Sequence, residues 1–287
     1  MIGIRMHMKV LFGIFVTLCL FTLFTLGCKK SNPASEQDTA QDTTKTVDSL
    51  AIPGWTLVWH DEFSDKNIDL SKWNYEVNGN GGGNNELQYY TDSAWNAFIE
   101  DSCLVIQALK MKYMGKDYMS ARLNTDHKGD WLYGRFDVRA KLPYGQGLWP
   151  AIWLLPSDWE YGGWPNSGEI DIMEELGDNT KRIYGTIHYA NTNGVHAWQG
   201  GSYTLPQGTF AGGFHLFTAI WDSTGITWYV DNKPYYTAKQ GQPFDKRFHM
   251  ILNVAVGGNW PGNPDESTIF PQRMYVDYVR VYQKEKQ

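Results

Sequence analysis

The chain reads as an all-β protein, an antiparallel sandwich or jelly roll, and three observations lead there. Apolar side chains recur at every second position in run after run, the period of a half-buried strand. Turn formers break these runs at short intervals, with 29 Gly and 12 Pro in 287 residues, as closely spaced strands require. No long segment carries apolar residues at helical spacing.

The first 27 residues stand outside that pattern. Arg5 and Lys9 make a basic start, and Val10 to Leu26 run without a charge. This is the layout of a secretory signal, although the run's length also admits an uncleaved anchor. TLGC at 25–28 resembles the lipobox of bacterial lipoproteins, which implies cleavage before Cys28 and a lipid on Cys28. On either reading the rest of the chain is expected outside the cytoplasm, tethered to a bacterial membrane. Residues 28–52 hold no aromatic side chain and abundant Ser, Thr, Asp and Gln. Such a segment buries too little apolar surface to offset its ordering entropy and reads as a flexible tether. The domain proper spans 53–287.

Within it, YGRFDVRAKLP places Phe136, Val138, Ala140 and Leu142 on one face and Arg135, Asp137, Arg139 and Lys141 on the other. FHLFTAIWD, HMILNVAVGG and MYVDYVRVY are further β-rich runs, and ITWYVDNKPYYTA forms two strands about a DNK turn. Cys19 leaves with the signal and Cys28 takes the lipid, so Cys103 has no partner for a disulfide. Cys103 lies in the alternating run SCLVIQALK and reads as a buried, inert thiol. Loss of Arg5 and Lys9 takes the net charge from −6 to −8. An acidic surface argues against nucleic acid and anionic polysaccharides as partners and suits a neutral ligand.

GEIDIMEELG, residues 168–177, concentrates the chemistry. Its length, bracketing glycines and all-β surroundings favour a strand. Glu169 and Asp171 then share one face, and Ile170 and Ile172 face the core. Strict alternation would bury Glu174 and waste Met173 on the polar face, which is costly on both counts. A β-bulge at Ile172–Met173 removes the conflict and returns Glu174 to the face of Glu169 and Asp171. Glu175 then points the other way, as a structural or surface residue. Three carboxylates on one face suit a metal site, a solvated surface, or glycoside hydrolysis by two carboxyl groups in different protonation states. The metal reading lacks a histidine next to the triplet in the chain.

The carboxylate segment is similar to the signature of glycoside hydrolase family 16 in its bulged form. VWHDEFS (58–64), NNELQYYT (84–91), SARLNT (120–125), GLWPAIWLLP (147–156), WPNSGEIDIMEELG (164–177), YGTIHYA (184–190), GGNWPGNPD (257–265) and VDYVRVY (276–282) all resemble bacterial laminarinases, in that order. The resemblance implies a concanavalin A-like jelly roll with a sugar cleft on its concave face. It implies retaining hydrolysis of β-1,3-glucan, with mixed-linkage β-1,3-1,4-glucan or another polysaccharide as the alternative substrate. A non-catalytic glucan-binding protein on the same fold is the rival of a different class, and it is expected to lack a catalytic Glu.

Carried over position by position, Glu169 would be the nucleophile, Glu174 the acid/base and Asp171 their electrostatic partner. Trp149, Trp153 and Trp164 would line the cleft, joined by Trp260 from a Gly/Pro-rich loop. His188 would hydrogen-bond beside the acid/base, and Asn85, Glu86 and Arg122 would contact sugar hydroxyls. His196 and His215 match no such position. Trp73, Trp221 and Trp228 read as core. No cofactor is implied for catalysis. A structural calcium is implied at Glu62 and Asp277. A monomer is expected.

Overall fold

The computed structural model describes residues 50–239 and 241–285. The signal segment, Cys28 and all but the last three residues of the tether lie outside them. Every regular element among the described residues is a strand. In chain order they are β1 (Trp55–Asp61), β2 (Asn74–Tyr75), β3 (Gln88–Tyr90), β4 (Ala97–Glu100), β5 (Cys103–Ala108), β6 (Tyr118–Ser120), β7 (Arg122–Asn124), β8 (Asp130–Trp131) and β9 (Gly134–Lys141). There follow β10 (Leu148–Pro156), β11 (Glu169–Glu175), β12 (Arg182–Ala190), β13 (His196–Thr204), β14 (His215–Asp222), β15 (Gly225–Val230), β16 (Lys233–Ala238), β17 (Phe248–Val256) and β18 (Gln272–Lys284).

Two eight-stranded antiparallel sheets form the jelly roll. The scaffold sheet runs β16-β15-β14-β9-β18-β5-β4, with β1 also paired to β18. The site sheet runs β13-β12-β11-β10-β17-β7-β2, with β8 also paired to β17. Strands β3 and β6 make a short parallel pair. The inward faces meet in one core. Phe136 and Val138 of β9, Phe217 of β14 and Val279 of β18 pack with Ile152 of β10, Ile187 of β12 and Leu252 of β17.

Period-two alternation explains β17 well. Met250, Leu252, Val254 and Val256 enter the core. His249, Ile251, Asn253 and Ala255 take the opposite face, yet all nine residues are buried because both faces of this central strand are covered. The DNK turn joins β15 to β16, with Asp231 and Asn232 at φ 50° and 64°, the left-handed pair that a two-residue hairpin requires. Cys103 is buried and unpaired, and burial pushes its thiol up.

Trp73, Trp221 and Trp228 are fully buried. Trp228, in the scaffold sheet, donates its Nε1–H to the backbone carbonyl of Asp171 at 2.8 Å. The core thereby grips the carboxylate strand from behind. This close approach needs Gly185 in β12, where a Cβ would come 2.4 Å from Trp228 Cδ1 and 2.4 Å from the Tyr235 hydroxyl.

Glu62 and Asp277 do not offer calcium an unpaired carboxylate. Glu62 forms a two-pronged bridge with Arg280, at 2.9 and 2.7 Å, and Asp277 is bonded to Arg139. Burial alone would push the Glu62 carboxyl up, but the hydrogen bonds and charge of Arg280 hold it below its usual range. The carboxylates expected to hold a cation are already neutralised by guanidinium groups, so the residues present do not fit that role.

Candidate active site

The bulge sits where the polar pattern demands it. From Asp171 to Glu174, β11 advances three residues while its partner β12 advances two, from Thr186 to Tyr184. From Asp171 to Met173, β11 advances two while β10 advances one, from Trp153 to Ile152. The extra residue therefore lies at Ile172–Met173, and both side chains are buried in the core. Glu169, Asp171 and Glu174 emerge together on the outer face of the site sheet, opposite His188, Thr186 and Tyr184. They floor a cleft of about 830 Å³.

Each glutamate is held by an indole. Trp164 donates its Nε1–H to Glu169 Oε2 at 2.8 Å, and Trp149 donates to Glu174 Oε1 at 3.0 Å. His188 Nε2 lies 3.3 Å from Asp171 Oδ2, within ion-pair reach. One donor atom each from Glu169, Asp171 and His188 lies within 4.8 Å of the others. The local sequence shows no histidine beside the triplet; the neighbouring strand supplies one.

Crowding and desolvation set the charges. Burial, with repulsion from Asp171 and Glu169, pushes Glu174 well above the usual carboxylate range. Burial pushes Glu169 up to about 8, with repulsion from Asp171 added, against the lowering effects of His188, the Trp164 hydrogen bond and Arg122. Burial likewise takes Asp171 to about 8. His188 and one indole favour the charge on each glutamate, but Glu174 meets repulsion from two carboxylates, whereas Glu169 meets it from Asp171 alone and has the Arg122 charge to offset it. The asymmetry makes Glu174 the proton holder and Glu169 the better carboxylate, as two-step glycoside chemistry requires.

Glu175 departs from a surface assignment. It is fully buried, and neither carboxylate oxygen has a hydrogen-bond partner. Burial alone pushes it up to about 9. It is a neutral acid inside the sandwich at neutral pH. The bulge that turns Glu174 out leaves its neighbour turned in.

The aromatic residues divide around the floor. Trp149 and Trp153 both face the cleft, as their even spacing in β10 predicts. Trp153 donates to Asn253 Oδ1 at 2.7 Å and carries the Arg122 guanidinium over its ring at 4.6 Å. Trp164 lies at the Glu169 side. Trp260 meets Trp149 and Tyr184 edge-on, with ring centroids 5.6 and 4.9 Å away. Arg122 and Glu86 line the cleft. Arg122 pairs with Glu76 at 2.9 Å. Glu86 is buried and accepts hydrogen bonds from Gln88 and Tyr90, and burial raises its pKa.

Two positions carry contacts that the local sequence does not announce. Asn85 does not line the cleft; its side chain donates to Asn259 at 2.8 Å and ties its loop to the Trp260 loop. His188 stands opposite Glu169 and against Asp171, and its charge favours the ionised form of Glu169 and of Glu174 alike.

Sequence reasoning missed His196, Asn253, Trp159, Trp198 and Tyr184, all of which line the cleft. For Asn253 a signal existed: a lone amide on the alternate face of an apolar run asks for a polar partner. For His196 and Trp198 there was none, because only the β12–β13 pairing brings them to His188.

Comparison with known proteins agrees with this geometry. A profile described as "Glycosyl hydrolases family 16" matches residues 72–280. The beta-glucanase of Rhodothermus marinus is 44% identical over 247 residues, covering 80% of this chain and 86% of that protein. Glucan endo-1,3-beta-glucosidase A1 of Niallia circulans is 43% identical over 265 residues; the match covers 82% of this chain but only 39% of that longer protein. The crystal structure of the laminarinase catalytic domain from Thermotoga maritima superimposes with a TM-score of 0.75 at 45% identity, over 81% of this chain and 99% of that one. The bulged carboxylate strand, the sandwich beneath it and these likenesses converge, and the chain belongs to glycoside hydrolase family 16.

Proposed function

We propose that the protein is a retaining endo-β-1,3-glucanase acting on laminarin-type glucan. The observation that carries this reading is the bulge at Ile172–Met173, which sets Glu174 on one floor with Glu169 and Asp171. The names of the relatives above support the linkage, and the aromatic walls suit the apolar faces of neutral sugar rings. Hydrolysis in this family needs no cofactor.

Ionised Glu169 attacks the anomeric carbon while protonated Glu174 gives its proton to the departing oxygen. A glycosyl ester forms on Glu169, and its charge is gone. Glu174, now a carboxylate, takes a proton from water, which attacks the anomeric carbon from the face opposite Glu169 and breaks its bond to the Glu169 oxygen. Two inversions leave a β product and regenerate both groups. Trp164 and His188 favour the charge on Glu169 before attack, and Asp171 keeps the Glu174 proton in place through repulsion.

The test is sugar release from laminarin, mixed-linkage glucan and agarose, with the product anomer followed by NMR. Fastest release from laminarin with initial β product supports the proposal. Preference for mixed-linkage glucan moves the substrate, and initial α product removes the double displacement. A folded wild type inert on all three polymers would favour the glucan-binding reading.

We further infer an exported monomer anchored to the bacterial envelope through a lipid on Cys28, with residues 28–52 as its tether. Labelled palmitate should be incorporated by the full chain and not by Cys28→Ser.

A further inference from the structure

We propose that His196 is a positioning residue that holds both donors facing the Glu169–Asp171 pair. The inference rests on Glu169 being the nucleophile. His196 stands on β13, one strand beyond His188. Its Nε2 lies 2.9 Å from His188 Nδ1, and its ring lies 4.7 Å from the Trp164 ring. Through His188 it reaches Asp171; through Trp164 it reaches Glu169, to which the indole donates at 2.8 Å.

The nitrogen–nitrogen contact has a chemical consequence. Between two ring nitrogens at hydrogen-bond distance there is room for one proton, so one ring donates and the other accepts. With His196 neutral and protonated on Nε2, it donates to His188 Nδ1. His188 then carries its own proton on Nε2, the nitrogen that faces Asp171. The hydrogen bond at one ring nitrogen thus fixes the tautomer at the other. Without His196, the His188 proton is free to sit on Nδ1, and its Nε2 lone pair would then point at a carboxylate. The ring contact acts on the second arm. Trp164 is 49% exposed and lies in the loop before β11, with the His188 and His196 rings beside it. His196 limits where the indole N–H can point.

The titratable and charged groups around this pair are Asp171, Glu169 and Glu174 on β11, with Arg122 across the floor. Loss of the His188 arm withdraws support for the Glu169 charge, so the acid limb of kcat/KM should move to higher pH.

Three substitutions separate the arms. His196→Gln keeps an N–H donor for His188 and loses the ring. His196→Phe keeps a ring against Trp164 and loses the donor. His196→Ala loses both. His196 is exposed on an edge strand, so folding should survive each change. On laminarin, His196→Ala should lower kcat about tenfold with KM within about twofold, as loss of an orienting partner does. His196→Gln and His196→Phe should each recover part of the loss, and only His196→Gln should keep the wild-type acid limb. Nitrogen-15 imidazole spectra of the free protein should show His188 protonated on Nε2 in wild type and His196→Gln, and a tautomer mixture in His196→Phe and His196→Ala. An unchanged His188 tautomer in His196→Ala, or a kcat within about twofold of wild type, overturns the proposal. The nucleophile assignment is judged separately: full activity in Glu169→Ala refutes that reading, whatever the tautomer spectra show.

Discussion

The carboxylate triplet of the site sheet and the carboxylates of the scaffold sheet are treated in opposite ways. On the scaffold sheet and its flank, Glu62, Asp137 and Asp277 each have an arginine, respectively Arg280, Arg135 and Arg139. On the site sheet, Glu169, Asp171 and Glu174 have indoles and a histidine, and the nearest guanidinium, Arg122, is spent on Glu76. The Glu62 carboxyl is held below its usual range, and those of the triplet are pushed above it. A structural acid is most useful ionised, so it is given a cation. A catalytic acid must keep its proton, so cations are withheld and water is displaced. Glu175 is an extreme case: it is buried without any partner and gains no chemistry from it.

The strongest way to break the contrast is to remove the catalytic pair. Glu169→Ala and Glu174→Ala should each lose at least about 10³-fold in kcat on laminarin, the scale of a lost nucleophile or general acid. Circular dichroism should show an unchanged fold.

Glu175→Gln should do the reverse and stabilise. The buried carboxyl titrates at about 9 when folded and near 4.5 when unfolded. Its raised folded pKa gives stability that is full below the unfolded value and lost as pH rises toward the folded one. At pH 7 the native glutamate therefore costs about 3 kcal/mol that an uncharged isostere avoids. Urea unfolding should show this gain at pH 7 and almost none at pH 4. Equal stability at pH 7 would mean that Glu175 has found a partner in solution.

The two indole hydrogen bonds sharpen the asymmetry within the site. Trp164→Phe removes a donor from Glu169, raises its pKa and should move the acid limb of kcat/KM upward. Trp149→Phe does the same to Glu174 and should move the alkaline limb upward. Each limb should shift by roughly one to two units, the value of about one hydrogen bond to a charged group. A Trp149→Phe profile with only its acid limb displaced would reverse the assigned roles.

The smallest effect lies on the scaffold. Glu62→Gln should destabilise by about 1 kcal/mol at pH 7, since the pair is partly solvated. A depressed folded pKa gives stability that is present above the unfolded value and lost as pH falls through the folded one. The penalty measured by thermal melts should therefore shrink below about pH 4.

The strand pattern was legible because alternation is local. Phe136, Val138 and Ala140 announce a face without knowledge of their neighbours, and the DNK turn announces its hairpin. The bulge was legible for the same reason, since Met173 and Glu174 cannot both be satisfied on a regular strand. Partners across strands were not legible. His196 is eight residues from His188 in the chain, yet its role follows from the β12–β13 register. Asn85 read as a sugar contact, and nothing local announced its bond to Asn259, 174 residues away. Glu62 and Asp277 read as cation ligands, and nothing local showed that arginines from β18 and β9 would reach them first.

The sequence by itself determined the all-β class, the carboxylate face with its extra residue, and the aromatic load suited to neutral sugars. These depend on which side of a strand a residue faces, and period two fixes that locally. Only the tertiary structure decided the protonation order of the triplet, the two indole donors, the His188–His196 pair and the burial of Glu175. Those depend on desolvation and on distances between strands remote in sequence, quantities that come into being when the two sheets close on one another.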